Sequence, residues 1–311
     1  MEFYQICYAS HQEVLFRSEA DMNTAFNSLC SALYKTGSRC LAETFMSNHH
    51  HGCYDTKCPG ELMRISRDSY TRYFNEKYER RGMLGEKGIY YVVVEGLRHL
   101  LAALTYTLRN CVHHGVEASP FAYPYSSVNA YFRKELGKAS SDSILLTPAQ
   151  IRATLPRRAA FDPSWKMGPE GVFLRESVVA VSIVEAAYAT PQAFNYMMGR
   201  KSGSDWAKEQ EADGTNKPPF TLNSIEEAYL RGKGKHAEQT VMEMLRNEKA
   251  RYAQRAICDM KLCELIDRQE IKKYNRRSVY HLSEAEKNEI ANRLYSKLGI
   301  RENQLRRCLV F

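Results

Sequence analysis

Three consecutive histidines, His49-His50-His51, follow Met46-Ser47-Asn48 and precede Gly52-Cys53-Tyr54. The stretch before them, Cys40-Leu41-Ala42-Glu43-Thr44-Phe45-Met46, alternates apolar and polar residues, which predicts a half-buried strand ending at Ser47-Asn48 and a second strand starting at the histidines. Side chains two apart on a strand share a face, so His49, His51 and Cys53 project together while His50 projects from the other side. Two imidazoles on one face can hold a divalent metal ion. A short run of histidines equally suits a hydrogen-bonded surface cluster, so the choice falls to what else faces them.

What faces them is expected from Leu97 to Val112. At about 100° per residue, His99, Ala103, Asn110 and His113 fall within about 60° of Tyr106, and Leu97, Leu101, Leu104 and Leu108 lie opposite. The pattern predicts an amphipathic helix whose leucines face a core and whose other stripe carries Tyr106 and, one turn later, Asn110. A tyrosine on a polar helix face is ordinarily a solvent-facing ring, but this stripe also offers an amide oxygen able to complete a metal site with the two histidines. A rival reading takes His49, His51, Cys53 and Cys58 as a structural zinc site, sulfur and imidazole being the usual zinc ligands. It leaves Tyr106 and Asn110 without a role.

Four segments in one order resemble those of HUH endonucleases, in particular the REP-associated tyrosine transposases. Met46-Ser47-Asn48-His49-His50-His51 is similar to that family's Met-Pro-Asn-His-hydrophobic-His signature, and Ser69 to Asn75 with Arg80-Arg81-Gly82 to its RYFN…RxG segment. Tyr106-Thr107-Leu108-Arg109-Asn110 resembles its tyrosine motif and Tyr123-Pro124-Tyr125-Ser126-Ser127 its YPWSS box. Three positions depart: His50 stands where the family has an apolar residue, and Cys111 and His113 where it has Pro and Arg. The resemblance spans about residues 1 to 135. It implies a palm-like, ferredoxin-like sheet; Tyr106 as nucleophile; His49, His51 and Asn110 around Mg²⁺ or Mn²⁺; and hairpin-containing single-stranded DNA as substrate, cut through a 5′-phosphotyrosine intermediate. The protein is then expected to be bacterial, cytoplasmic and nucleoid-associated, as a monomer or homodimer.

The elements that must position these residues follow from pattern. A first strand is expected at Phe3 to Tyr8, and a helix from Ala20 to Lys35 with Asp21 at its start and Gly37 at its end. Pro59 opens a helix to about Tyr78 with Leu62, Ile65, Tyr73 and Phe74 toward the core. Its Arg64, Arg67, Arg72 and Lys77, with Arg80 and Arg81 beyond, are interleaved with Tyr70 and Tyr73. That is either a solvated basic face or one that tracks phosphates with aromatic platforms. Ile89 to Val94 is a continuous apolar run, expected as a central strand. The order β-α-β-β-α-β-α predicts an α+β fold, a small antiparallel sheet backed by helices with the histidine strand beneath the tyrosine helix.

Residues 1–136 thus form the expected nuclease domain, and 137–170, with Pro148, Pro156, Pro163 and Pro169, the expected linker. A helical region over 171–277 is expected to contain helices at Val178 to Tyr188 and from Thr190-Pro191, a polar loop over 200–219, and a long helical stretch from about 235 to 268. Between Lys249 and Arg277 there are nine Lys or Arg against four Asp or Glu, either a phosphate-contacting surface or a solvated helix face. In 278–311, Ser283-Glu284-Ala285-Glu286 is a capping box. Leu294, Leu298, Ile300, Leu305 and Cys308 take the apolar positions of a helix-turn-helix with Gly299 in the turn. That pattern exposes Arg301, Asn303, Gln304, Arg306 and Arg307 toward base edges; a plain helical hairpin is the alternative.

With 311 residues, 44% hydrophobic and 26% charged, the chain has the composition of a globular protein with room for two or three domains. No apolar run reaches transmembrane length and no signal-peptide pattern is present, so no membrane partner is expected. Nine cysteines, an odd number without a CxxC pair, read as reduced thiols. The net charge of +8 suits a polyanionic partner. No glycine-rich phosphate loop, Ser-His-Asp order or paired-carboxylate motif suggests another enzyme class. The expected function is a metal-dependent single-strand DNA endonuclease and strand transferase; the alternative is a domesticated sequence-specific DNA-binding protein that no longer cleaves.

Overall fold

The alternation that puts His50 opposite His49 and His51 is realised in a four-stranded sheet. In a computed structural model describing residues 2–10, 12–138, 144–199 and 257–311, the chain runs β1 (Phe3–Ala9), α1 (Glu19–Thr36), β2 (Arg39–Met46), β3 (His49–Asp55), α2 (Pro59–Lys77), β4 (Tyr90–Val94), α3 (Gly96–Leu108) and α4 (Asn110–His113). The strands lie in the order β2-β3-β1-β4 and every neighbouring pair is antiparallel. Each half is a split β-α-β unit. The expected α+β class with a small antiparallel sheet is what is found. The loop expected over 200–219, most of the helical stretch over 235–268 and the start of the basic run at Lys249 lie outside the described residues.

One face of the sheet meets α1 and α2. There Phe45 of β2 packs edge-on against Phe16 and Phe26, and His50 lies over Phe45 with ring centroids 4.2 Å apart. Helix α1 starts at a capping box between Ser18 and Asp21 and stops at Gly37, whose φ of 61° an L side chain rarely adopts.

The two sheet edges are treated differently. The run expected to be a central strand, Ile89 to Val94, forms β4 at an edge, pairing with β1 alone; Tyr91 and Val93 are half exposed and only Tyr90 and Val94 are buried. An apolar run does not by itself say how many neighbours a strand has. The β2 edge is covered by the segment from Tyr123 to Ser127: Phe45 N donates to Tyr125 O (2.9 Å), Tyr123 Oη to Phe45 O (2.6 Å), Thr44 Oγ1 to Ser126 Oγ (2.9 Å) and Glu43 N to Ser127 Oγ (3.0 Å). These bonds satisfy backbone groups an open edge would leave bare.

The expected helix from Leu97 to Val112 is two helices, broken at Arg109, whose ψ is 7°. Its leucine stripe is also only partly inside: Leu104 and Leu108 are buried, Leu97 is exposed. Both faces of α3 are covered, one by the sheet and the other by α7 (Val181–Tyr188), where Thr105 Oγ1 meets Tyr188 Oη at 2.8 Å.

Residues 144–199 carry α5 (Pro148–Thr154), α6 (Arg175–Val178), α7 and α8 (Pro191–Gly199). The stretch expected as a linker belongs to the first core. Ile151, Leu155 and Met167 are buried with Phe26, Leu29 and Leu33 of α1, and Asn27 brackets the strap by donating to Gly171 O (2.7 Å) and accepting from Phe173 N (3.2 Å). Prolines mark turns; they do not exclude packing.

The remaining residues form a second, smaller core from the helices Asp259–Leu265, Glu284–Leu298 and Glu302–Leu309, with Gly299 turning between the last two at φ 62°. Leu294, Ile300, Leu305 and Cys308 are buried as expected, while Leu298 is partly exposed. Val14 of the first domain joins this core. Arg17, wholly buried, donates to Asp267 twice (2.7 and 3.1 Å) and to Cys308 O (2.8 Å). Among the described residues no helix is long and apolar enough to cross a membrane.

Candidate active site

Strand β3 offers three side chains to α3 and α4 above it, and each finds a partner there. His49 Nε2 lies 2.8 Å from Asn110 Oδ1. The His51 ring stands edge-on to the Tyr106 ring, centroids 5.0 Å apart. Cys53 Sγ lies 3.4 Å from Thr107 Oγ1, which also accepts from Gln5 Nε2 (3.3 Å). The period of two on the strand and the period near four on the helix therefore bring His49, His51, Tyr106 and Asn110 together. Their rings pack closely, His49 and His51 at 5.2 Å between centroids, and all four residues are buried, with Tyr106 2% exposed.

His50, on the other face, behaves as a core aromatic. It lies between Phe45 and Tyr8 and meets Tyr54 Oη at 3.3 Å through Nε2. Gly52 permits this, because a Cβ there would overlap the Tyr54 ring that folds back over it. Burial, with a smaller contribution from His49, pushes the His50 imidazole down to about 3, so it is neutral in the folded protein. Burial likewise holds His51 well below the ordinary imidazole value, with His49 and His114 adding to the effect. A neutral ring is the form that can ligate a metal.

The contacts around His49 favour one of its nitrogens as the ligand. Nδ1 is 3.0 Å from Asn48 Oδ1 and Nε2 2.8 Å from Asn110 Oδ1. A neutral imidazole has one N–H and can donate to only one of these oxygens. Asn48 is the fixed acceptor, since its amide nitrogen donates to Ser10 O (3.5 Å). With the proton on Nδ1, Nε2 is an acceptor, and the Asn110 amide, whose nitrogen has no other hydrogen-bond partner among the described residues, turns that nitrogen toward it when no cation is bound and its oxygen when one is. Two ligands adjacent on a cation at ~2.1 Å stand ~3 Å apart, so this pair suits a divalent ion, and the Nδ1–H bond to Asn48 is the outer contact that metal-binding histidines ordinarily make. Among the described residues no group of three His, Cys, Asp or Glu forms a metal-holding set, so the zinc reading of His49, His51, Cys53 and Cys58 has no counterpart. Burial pushes the Cys53 thiol up to about 12, and Cys58 lies beyond the strand as the N-cap of α2.

Two further histidines join the site: His113, on the Tyr106 stripe, and His114, to which the sequence pattern assigns no role. His114, buried, has its ring 4.7 Å from that of His49, and His113 lies 5.7 Å from Tyr106 and 5.1 Å from His114. Continuing the four-residue step from Tyr106 through Asn110 would have reached His114.

The residues expected to touch DNA are not gathered at this site. Helix α2 lies on the His50 face of the sheet, away from Tyr106. Arg64, Arg72 and Arg81 are exposed, Arg64 beside Glu61 and Asp68. Arg67 is buried, donating to Leu84 O (3.3 Å) and Glu86 O and lying over Tyr8; Tyr73 Oη donates to Asp21 (3.3 Å); Arg80 is paired with Glu13 at 2.6 Å. At the C-terminus Gln304 is buried and donates to Ile257 O (2.9 Å), and Arg307 is paired with Asp259 at 3.0 Å. Arg306 is exposed beside Glu302, and Arg301 stands at the N-cap position of the last helix. The 3.6-residue period placed Gln304 and Arg307 outward, but contacts with residues 257–259 turn them inward.

No family model and no curated protein matches the chain. Among solved structures it is similar to a REP-associated tyrosine transposase bound to a REP hairpin, at 12% identity and a TM-score of 0.36, over 52% of this chain and 86% of that one.

Proposed function

We propose that the protein is a metal-dependent single-strand DNA endonuclease and strand transferase working through a 5′-phosphotyrosine intermediate, with a palm of the HUH type. The observation that carries this reading is the meeting of His49 Nε2 and Asn110 Oδ1 at 2.8 Å beside the His51–Tyr106 ring pair. It joins two of the four sequence motifs in one cluster.

His49, His51 and Asn110 would hold Mg²⁺ or Mn²⁺. Such an ion supplies charge neutralisation at a scissile phosphate and fixes its orientation. Tyr106 Oη attacks phosphorus in line, forming the Oη–P bond as the P–O3′ bond breaks. Oη gives up its proton as it attacks and the departing oxygen gains one, so the strand leaves as a 3′-hydroxyl with no net change in protons. A free tyrosine has a pKa near ~10, so the phenol depends on a strongly polarised target. Because one phosphodiester replaces another, attack by a second 3′-hydroxyl reseals the strand without ATP. The proposed substrate is hairpin-containing single-stranded DNA, a polyanion that the net charge of +8 suits.

The burial of Tyr106 sets a condition: a phosphate reaches the hydroxyl only if the segment over it moves. The helix break at Arg109 and Gly115, at φ 65°, bracket α4. The same burial favours a second reading, binding of DNA without cleavage. The test is incubation with a labelled single-stranded hairpin library with and without Mn²⁺. A denaturation-resistant adduct that needs the metal and disappears in Tyr106→Phe supports the nuclease; salt-sensitive binding with no adduct supports the second reading.

A further inference from the structure

The two-residue turn Ser47-Asn48 joins β2 to β3 and holds His49, and it is anchored from two sides. From the first domain, Leu15 N and Phe16 N donate to Ser47 O (2.8 and 3.1 Å) and Ser10 N donates to Asn48 O (2.8 Å). From the C-terminal module, Asp259 Oδ2 accepts the Ser47 hydroxyl at 3.0 Å. Asp259 is 1% exposed, and the same carboxylate is paired with Arg307 at 3.0 Å. A buried carboxylate needs such partners, and here one is on the turn that carries the histidines and the other on the last helix. The contacts run Arg307–Asp259–Ser47, then through the turn to Asn48 Oδ1 and His49 Nδ1 at 3.0 Å.

We infer that Asp259 is a positioning residue for His49: by fixing the Ser47 hydroxyl it keeps Asn48 aligned to accept the Nδ1–H of His49, which leaves Nε2 directed at Asn110. The C-terminal module is then part of the catalytic unit rather than an appended reader, and a ligand that drew Arg307 away from Asp259 would act on the histidine turn. The importance given to His49 rests on the proposed function; the positioning itself does not.

The test is nitrogen NMR of the histidine rings in the full-length protein, in wild type and in Ser47→Ala, Ser47→Thr and Asp259→Asn, without metal or DNA. Wild type is expected to show His49 with the proton on Nδ1. Ser47→Ala is expected to shift His49 toward a mixture of tautomers, Ser47→Thr to restore the wild-type pattern because it keeps the hydroxyl, and Asp259→Asn to give an intermediate effect because it keeps an acceptor oxygen. Ser47→Ala should also weaken Mn²⁺ binding by roughly tenfold in calorimetry. A His49 pattern unchanged in Ser47→Ala, with the variant folded, overturns the inference. If Ser47→Ala shifts the His49 tautomer while even the wild type binds no metal and forms no adduct, the positioning stands and the nuclease reading fails.

Discussion

Asn110 Oδ1 and His49 Nε2 stand 2.8 Å apart although 61 residues separate them in the chain. The contact ties the histidine strand to the helix segment that follows Tyr106, so a change at Asn110 should be felt as a change in metal affinity. Asn110→Ala removes one oxygen donor and is expected to weaken Mn²⁺ binding by about ten- to a hundredfold. Asn110→Asp replaces the amide oxygen by a carboxylate, the harder donor that Mg²⁺ prefers, and should strengthen Mg²⁺ binding. Calorimetric titration of the two variants checks both; equal affinity in Asn110→Ala and wild type removes Asn110 from the ligand set.

His50 links the site to acid stability. Its folded value is pushed down to about 3, below the ordinary imidazole value of ~6.5 that it takes when unfolded. The unfolded chain therefore binds a proton that the folded chain refuses, and the stability this represents is lost as pH falls from ~6.5 toward 3. His50→Phe keeps an aromatic ring between Phe45 and Tyr8 and removes the titration. Urea unfolding at pH 7 and pH 5 should show wild type losing about 2 kcal/mol more than the variant over that interval. Parallel acid limbs in the two proteins would refute the assignment.

The segment over the β2 edge makes a separate prediction. Tyr123→Phe deletes the hydroxyl that donates to Phe45 O at 2.6 Å and leaves a buried carbonyl short of a partner. A loss of about 1–2 kcal/mol in urea unfolding is expected. Tyr131, whose hydroxyl donates to Leu41 O on the same strand, should behave alike. A neutral effect at both positions would mean that water replaces the tyrosines at this edge.

The parts of the site that were legible in the sequence depend on backbone period alone. A strand sends His49 and His51 to one side and His50 to the other whatever its neighbours, and a helix sets Asn110 one turn after Tyr106. What was not legible depends on distant chain. His50 takes its character from Tyr8 and Phe45, on two other strands. Gln304 and Arg307 turn inward because Ile257 O and Asp259 lie under them. Tyr73 and Arg80 look like DNA contacts on a helix drawn by itself, and are occupied by Asp21 and Glu13 from the segment around α1. The proline-rich stretch 137–170 reads as a linker until Ile151, Leu155 and Met167 are seen to fill the core beside α1.

The burial of Tyr106 yields the last prediction. Nothing as large as a nucleotide can approach a hydroxyl on a residue 2% exposed without displacement of its cover. The mobile part should be the stretch from His113 to Val116, because α4 is only one short turn and Gly115 at φ 65° can act as a pivot, while Asn110 stays against His49. Helix α3 itself is held by Thr105–Tyr188 and by its packing on β2 and β3, so it should stay. Hydrogen exchange in the presence of a hairpin single strand carrying a non-cleavable phosphate is expected to show faster exchange at His113 to Val116 and unchanged protection over Leu100 to Leu108. Gly115→Ala, which strains the left-handed conformation, should slow adduct formation more than it weakens DNA binding. Faster exchange throughout α3 would mean that the tyrosine helix swings as a unit. No change anywhere, together with absence of adduct, would leave a DNA-binding protein whose tyrosine remains closed.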